Sequence, residues 1–408
     1  MAGKRGNNEG SIFKRNDGTW CAMVTEGRDP KTGKLIRRSF YGKTRQEVSE
    51  KLSKAQEDLR KGTLVENTRI KVGQWLDDWL TKYKKGRIRP TTYDSYEMVV
   101  RVHIKPYIGN VFLKDLKPEN LQAMYNDKLS HGRTDDKGGL STRTVRYMHM
   151  IMHEALKQAL KNNLVSRNIA EATTPPKLVK REMRVLSKEE QNKFLDVLEG
   201  ERLGPAFLID IGTGLRRGEL LALRWSDIDF DERVIRVSHS LSRVRTFEED
   251  SNTKSQLVFQ QPKTKSGRRS IPMLDNVYEA LKEHKVAQEE EKKFLGSAYQ
   301  DNGLVFCTEL GKPIEPRNFN RKFYELLDKA GIEDANLHCL RHTFATRGLE
   351  LGMNPKVMQE LMGHSSIMLF MDTYAHVLPD LKKRDTSRMN LMFERRKPEK
   401  DKGPELEM

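Results

Sequence analysis

The sequence predicts an α+β chain of several domains: a three-stranded β-sheet with one helix, then a helical bundle, then a mixed, mainly α-helical domain with a small β-sheet. Three observations lead to this prediction. The chain has 408 residues, which is too many for one compact core. Turn residues separate short β-prone runs near the N-terminus. Apolar residues at helical spacing dominate after residue 70, and helices alternate with short strands after residue 180.

The first domain is predicted over residues 1–65. Its β-prone runs SIFKR, TWCAMVTE and KLIRRSFYG are separated by Asn16-Asp17-Gly18 and by the turn at 29–33, so successive hairpins are expected. Thr44 and Glu47 form a capping box that opens a helix. Residues 1–45 contain 11 Lys/Arg and 4 Asp/Glu, a net charge of 11 − 4 = +7. A basic sheet of this kind suits the major groove of DNA, and the alternative is a solvated basic surface.

The second domain, residues 70–170, is predicted as a helical bundle. One apolar stripe at helical spacing runs from Val72 to Tyr83 and includes Trp75 and Trp79 as core residues. Further helices are expected at about 91–104, 118–130 and 141–163. Basic side chains of this domain, such as Lys84, are candidate phosphate contacts.

A third domain is predicted over residues 180–385, with a tail at 386–408. A Pro-Pro linker at 172–184 precedes it, and Ser187 with Glu190 forms a second capping box. Strands are expected at 233–240, 257–263 and 268–272.

Composition narrows the function classes. The chain carries 74 Lys+Arg against 58 Asp+Glu, a formal charge of +16, which favours a polyanionic partner such as nucleic acid. The three cysteines form no C-x-x-C pair, which argues against a disulfide framework or a zinc ribbon. No run is long and apolar enough for a membrane helix, and the N-terminus lacks the apolar core of a signal peptide, so a cytoplasmic location is expected.

Two segments of the third domain present basic side chains near turns. In TGLRRGE, a Gly-containing turn after an apolar helix presents Arg216, and Glu219 lies three residues on, on the same helical face. In QPKTKSGRRSIP, a hairpin between two strands is predicted to carry Lys263 and Lys265.

Two later segments add histidines, an arginine and a tyrosine. His338 and Arg341 stand three residues apart and project from one face of a helix. His364 lies in a Gly-His-Ser turn, and Tyr374 follows ten residues later.

Together these side chains have the chemistry needed for a metal-free phosphoryl transfer. Two guanidinium groups clamp the non-bridging oxygens of a phosphodiester. Histidines donate hydrogen bonds or accept the phenol proton, and a lysine protonates the departing 5′-oxygen to give the 5′-hydroxyl. A tyrosine needs such assistance because its ordinary pKa is about 10.

The ordered set of motifs resembles the signature of the tyrosine recombinases. It consists of Arg216 in TGLRRGE, the hairpin lysine, the pair His338 and Arg341, His364 after a glycine, and Tyr374. The resemblance spans most of residues 180–380. The layout ahead of it is similar to that of integrases from conjugative transposons and temperate phages.

This resemblance implies site-specific DNA recombination that integrates and excises a mobile element. Arg216 and Arg341 would clamp the scissile phosphate, with His338 and His364 assisting, and Tyr374 would form the 3′-phosphotyrosyl bond. The general acid would be the hairpin lysine; Lys263 is favoured because it ends the strand, and Lys265 is the alternative. Glu219 would support the site. His342, next to Arg341, is interpreted as a structural residue that points elsewhere on the helix.

The resemblance also implies partners. These are double-stranded DNA, with residues 1–65 on arm sites and the other two domains on core sites, and a homo-tetramer that exchanges strands through a four-way junction. No cofactor, metal, ATP or membrane is expected. The protein would act on the nucleoid of a bacterial host, and whether it needs an excision factor is left open.

Two alternative functions fit the sequence less well. A non-catalytic DNA-binding or architectural protein needs no phenol, and a type IB-like topoisomerase needs no separate arm domain. The sequence Asp227-x-Asp229-x-Asp231 lacks the glycine and the bidentate glutamate of a calcium loop, so it is predicted to be a turn before the strand at 233.

Overall fold

The computed structural model describes residues 10–28, 32–61, 69–179, 183–246, 254–262, 265–374, 386–387 and 389–390. The chain divides into two compact units, residues 1–180 and 181–408. Within the described ranges, no helix combines the length and apolar character needed to cross a bilayer.

The first unit begins with a three-stranded antiparallel sheet in the order β1-β2-β3. Its strands and the helix that follows are β1 Ser11–Lys14, β2 Trp20–Arg28, β3 Leu35–Gly42 and α1 Arg45–Lys61. The predicted cap is present, since Glu47 N donates to Thr44 Oγ1 at 3.2 Å. Val48 and Leu52 of α1 are buried together with Ala22 and Val24 of β2. Alternate residues of the strand meet the apolar face of the helix, and the predicted sheet-plus-helix arrangement is confirmed.

The first unit continues as a helical bundle. Its α-helices are α2 Val72–Trp79, α3 Pro90–Val99, α4 Lys105–Ile108, α5 Pro118–His131 and α6 Thr142–Lys161. Shorter turns are the π-helical Leu80–Lys84 and Val100–Ile104 and the 3₁₀-helical Leu113–Asp115 and Ile169–Ala172. Trp75 and Trp79 are 3% and 1% exposed, so the predicted apolar stripe is the core of the bundle.

The second unit is mainly α-helical. Its α-helices are α7 Lys188–Asp196, α8 Gly204–Thr213, α9 Arg217–Leu220, α10 Asp275–Leu295, α11 Pro316–Ala330, α12 His338–Glu350, α13 Pro355–Leu361 and α14 Ile367–Thr373. Three 3₁₀ turns lie at Trp225–Asp227, Lys265–Gly267 and Gly296–Ala298. The capping box at the start of α7 is present as predicted, with Ser187 Oγ accepting from Glu190 N at 3.1 Å.

The strands of the second unit pair differently from the prediction. They are β4 Ile228–Asp229, β5 Val234–Val237, β6 Ser240–Arg245, β7 Ser255–Gln260 and β8 Arg269–Pro272. β8 pairs with β5 and β7 pairs with β6, so the predicted hairpin between the strands now numbered β7 and β8 is wrong. The pairing is set by burial, since Ile235 and Ile271 face each other in the core at 0% and 1% exposure.

A turn precedes β5, as predicted, and contains Asp231, while Asp229 ends β4 and Asp227 ends a 3₁₀ turn. Asp229 accepts a hydrogen bond from Glu232 N at 3.0 Å, and Asp227 accepts one from Arg224 N at 3.0 Å. Arg236 pairs with Asp229 at 2.6 Å. Across the described part of the chain, no group of three or more His, Cys, Asp or Glu side chains is placed to hold a metal ion.

Candidate active site

The site begins at the end of α8. This apolar helix stops at Gly214, whose φ of +61° is left-handed, and Gly214 N donates to Asp210 O at 2.9 Å. A Cβ atom on Gly214 would lie 2.6 Å from Phe344 and 2.9 Å from the sulfur of Met362. Only glycine fits such a turn against α12 and α13, and the turn delivers Arg216 in extended conformation at the start of α9.

Glu219 is the carboxylate that orders the arginines. It is 4% exposed, and it accepts hydrogen bonds from Arg216 N at 3.0 Å, from Arg216 Nη1 at 2.8 Å and from Arg269 Nη2 at 2.9 Å. Burial alone would raise the pKa of Glu219, but the bond to Arg269 and the charges of Arg269 and Arg216 outweigh it and hold the pKa at about 2. Glu219 is therefore ionised at neutral pH and fixes two guanidinium groups.

Arg341 is the most deeply buried arginine of the cluster. It is 1% exposed and donates to the carbonyl oxygens of Gly214 and Met362. Burial and the neighbouring charge of Arg216 lower the pKa of Arg341 to about 9, so it remains charged at pH 7. A buried charge of this kind is costly unless hydrogen bonds compensate it, and the two carbonyls supply that compensation.

Three consecutive backbone carbonyls each accept a hydrogen bond from a different arginine. Leu361 O accepts from Arg269 Nε at 2.5 Å, Met362 O accepts from Arg341, and Gly363 O accepts from Arg216 Nη2 at 3.1 Å. These carbonyls follow the last turn of α13, where the helix dipole favours positive charge. Gly363 has a φ of +60°, and a Cβ there would come within 3.0 Å of Arg269 Nη1.

The two predicted histidines lie beside these arginines. Partial burial of each ring and the charges of Arg341 and Arg216 lower the pKa of both His338 and His364 to about 4. Both rings are therefore neutral at pH 7. Neutral imidazoles donate and accept hydrogen bonds without adding charge to the cluster.

Tyr374 follows α14 and is 1% exposed. Its ring packs against Phe370 at 4.8 Å between centroids and belongs to a cluster with Met358 and Met362. Burial raises the pKa of Tyr374 to about 12, although the charge of Arg341 opposes the rise. The structure thus brings Arg216, Glu219, Arg341, His338, His364 and Tyr374 into one electrostatically connected cluster.

The chain is similar to known proteins over most of its length. Residues 184–380 match the model of the phage integrase family, and residues 71–129 match that of the phage integrase N-terminal SAM-like domain. The chain is 33% identical over 380 residues to a protein of Caldanaerobacter subterraneus subsp. tengcongensis named tyrosine recombinase XerC-like, covering 91% of this chain and 95% of that protein.

The chain belongs to the tyrosine recombinase family. The recombinase is also similar to solved structures. The Tn1549 transposon integrase in complex with transposon right end DNA matches with 25% identity and a TM-score of 0.63, covering 79% of this chain and all of that one. A lambda integrase tetramer bound to a Holliday junction matches with 20% identity and a TM-score of 0.53, covering 87% and 95%.

The family prediction made from the motifs is confirmed, and with it the predicted activity. The recombinase is a DNA strand-transferase that performs site-specific recombination. The predicted fold class, with its N-terminal sheet, helical bundle and mainly α-helical third part, is confirmed as well.

The lysine predicted as general acid is not placed by the structure. Lys263 and the side chain of Lys265 lie outside the described residues of the recombinase, as does most of the predicted tail at 386–408. The backbone at Lys265–Gly267 forms a 3₁₀ turn ahead of β8. The choice between the two lysines stays a prediction.

His342 does not point elsewhere on the helix, as the sequence had suggested. Its Nδ1 lies 3.0 Å from the hydroxyl oxygen of Tyr374, and its ring meets that of His338 edge-on at 4.5 Å between centroids. The signal was present in the sequence, since His342 follows His338 by four residues. Residues four apart on a helix share a face.

Arg269 is a further residue of the cluster that the sequence motifs do not single out. Its side chain is 6% exposed and joins β8 both to Glu219 and to the turn before His364. Arg268 and Arg269 are neighbours of the same type, and only the register of β8 against β5 turns Arg269 inward.

Proposed function

We propose that this recombinase integrates and excises a mobile element by cutting DNA through a 3′-phosphotyrosyl bond to Tyr374. The observation that carries the proposal is the convergence of Arg216 and Arg341 on neighbouring carbonyls directly before His364. Two guanidinium groups from segments more than a hundred residues apart meet here, as a clamp on one phosphate requires.

The charge balance of this cluster favours an anion. Arg216, Arg269 and Arg341 bring three positive charges, and Glu219 brings one negative charge. Burial raises the pKa of Asp210, the other nearby carboxyl, well above its ordinary value, which disfavours a second negative charge in the cluster. A phosphodiester carries one negative charge and its five-coordinate transition state two, which matches the excess.

Arg216 and Arg341 would bind that phosphate in different ways. The side chain of Arg216 is 41% exposed, so it is accessible to DNA while Glu219 holds it. Arg341, which is buried and held by two carbonyls, would act as a fixed positive charge. His338 and His364, neutral at pH 7, would hydrogen-bond the remaining non-bridging oxygens.

The nucleophile would be Tyr374 and the general acid Lys263, with Lys265 as the alternative. The phenol oxygen attacks phosphorus, and the bond to the 5′-oxygen breaks while the lysine protonates that oxygen. The phosphotyrosyl bond conserves the energy needed for resealing, so neither ATP nor a metal is expected.

The arrangement on DNA follows from the predicted domains. Residues 1–65, with their net charge of +7 over residues 1–45, would bind arm sites, and residues 70–170 and 180–385 would hold core sites. Four copies would assemble, as the lambda integrase does on its Holliday junction, with the segment after Tyr374, through 408, packing against a neighbouring subunit. We expect action on nucleoid DNA in a bacterial cytoplasm, with or without an excision factor.

A suicide DNA substrate tests the proposal. The wild-type protein should accumulate a covalent adduct, and peptide mapping should place the DNA on Tyr374. Tyr374→Phe should form no adduct and still bind DNA, since it loses only the hydroxyl. Tyr125→Phe is the matched control, because Tyr125 is equally buried but lies in the bundle, where its hydroxyl contacts His149 at 3.3 Å.

Adducts that persist undiminished in Tyr374→Phe would show that the nucleophile is another residue. A protein that binds DNA without any adduct would be an architectural factor. A plasmid with two sites separates the remaining alternatives, because recombination yields two circles and a topoisomerase yields only relaxed plasmid.

A further inference from the structure

The contact between His342 and Tyr374 points to a role beyond those assigned above. The phenol of Tyr374 must lose its proton as it attacks, and burial has made this harder by raising its pKa to about 12. At pH 7 only about one molecule in 10⁵ would carry the phenolate. A neighbouring base is therefore needed in the same step.

A general base must lie within hydrogen-bonding reach of the proton that it takes, a heavy-atom distance of about 2.6–3.2 Å. His342 Nδ1 meets this condition at 3.0 Å from Tyr374 Oη. The two rings lie 5.8 Å apart between centroids and are inclined by 61°, so the hydroxyl rather than the ring face meets the imidazole.

The position of His342 on α12 joins the nucleophile to the phosphate site. His338 lies one turn before His342 on α12, and the two rings meet edge-on with their centroids 4.5 Å apart. Arg341 immediately precedes His342 on the same helix. A shift of α12 would therefore move the base, the guanidinium and the assisting histidine together. The helix acts as one rigid support for the base, the guanidinium and the assisting histidine.

We propose that His342 is the general base that takes the phenolic proton of Tyr374. This inference rests on Tyr374 being the nucleophile. In the tautomer with its hydrogen on Nε2, Nδ1 accepts the phenolic hydrogen. The O–H bond breaks, the proton moves to Nδ1, and the phenol oxygen bonds to phosphorus while the lysine protonates the leaving 5′-oxygen. In resealing, the imidazolium returns the proton to the phenolate oxygen.

The alternative role for His342 is to hold Tyr374 in place by a hydrogen bond alone. Asparagine separates the two roles, because its side-chain amide puts a hydrogen-bonding atom near the position of Nδ1 but does not accept a proton at neutral pH. His342→Asn should therefore keep the hydrogen bond and lose the base.

The experiment measures single-turnover cleavage of a suicide DNA substrate at saturating protein. His342→Asn should cleave about 10²-fold more slowly than wild type while binding DNA with unchanged affinity. Replacing Tyr374 by 3,5-difluorotyrosine, a more acidic phenol, should recover about tenfold or more of that loss and should change the wild-type rate about threefold or less.

Two results would overturn the inference. One is a His342→Asn rate within about threefold of wild type, which would mean that the hydrogen bond is sufficient. The other is an equal effect of fluorination with and without His342. A wild-type protein that forms no adduct on Tyr374 would instead refute the proposed nucleophile, so failure of the base and failure of the nucleophile are distinguishable. DNA binding by His342→Asn shows that the variant is folded.

Discussion

The helical bundle of the first unit and the arginine cluster of the second unit bury different kinds of side chain. The bundle is closed by tryptophans, leucines and methionines, and the indole N–H of Trp75 is satisfied by Ala155 O at 3.1 Å. The arginine cluster buries Arg341 and Glu219 at 1% and 4% exposure. Apolar burial stabilises a fold directly, whereas burying charge costs free energy that only hydrogen bonds and opposite charges recover.

The buried charges of the arginine cluster are therefore the part of the protein that costs stability. The same unit contains a large apolar core, with stacked rings such as Phe207 and Phe319 at 4.5 Å between centroids. Burial of that apolar core stabilises the unit and offsets the cost of burying the charges. Three arginines converge on one turn, Leu361–Gly363, and this convergence supports the proposed phosphate site.

The contrast between the two regions can be tested by removing one large side chain from each and measuring DNA cleavage and stability. Arg341→Ala should slow DNA cleavage about 10²- to 10³-fold, because the charge proposed to bind the phosphate is lost and two carbonyls lose their donor. Leu76→Ala, fully buried in the bundle, should cost about 2–5 kcal/mol of unfolding free energy. Its folded fraction should cleave saturating DNA at the wild-type rate.

Denaturant unfolding and single-turnover cleavage measure the two effects separately. Equal losses of cleavage in the two variants would mean that the cluster contributes through stability alone.

A smaller effect is expected from the carboxylate of the cluster. Glu219→Gln leaves Arg216 and Arg269 without their shared negative charge. The pKa of Glu219 lies at about 2 against a usual 4.5, a difference that corresponds to about 3 kcal/mol of stability. Because the folded pKa is lowered, this stability is present above pH 4.5 and is lost as the pH falls through 2.

Unfolding curves at several pH values test this sign. The variant should be less stable than wild type at pH 7, and the gap should close in acid. Asp275→Asn, which removes a largely exposed partner of Arg233, is the control, with an expected change below about 1 kcal/mol. A gap that stays constant from pH 7 to pH 3 would contradict the assignment.

The smallest expected effect concerns Asp210. It is 1% exposed, one of its carboxyl oxygens has no hydrogen-bond partner, and burial raises its pKa well above the usual value of 3.8. A raised folded pKa gives stability that is full below pH 3.8 and falls as the pH rises. Asp210→Asn carries no charge at any pH, so the variant should gain stability relative to wild type between pH 4 and pH 8.

Thermal unfolding at pH 4, 6 and 8 measures that trend. A wild type that remains the more stable protein at pH 8 would mean that the Asp210 carboxylate is ionised and paired with Arg341.

Prediction from sequence succeeded where the cause is local. Thr44 with Glu47 and Ser187 with Glu190 opened helices as predicted, because a cap involves residues three apart. The apolar stripe around Trp75 placed the bundle core for the same reason. Prediction failed for the β7–β8 hairpin, because strand pairing depends on which partner is already in the core.

The sequence by itself determined the local elements and the residue types of a phosphoryl-transfer site, because motif order and helical periodicity act over a few residues. Tertiary structure alone decided which charges meet. Arg216 reaches a carbonyl 147 residues away and Arg341 one 127 residues away. It also decided that Arg269 turns inward and that His342 meets Tyr374, since such contacts depend on how α12, α13 and β8 pack against one another.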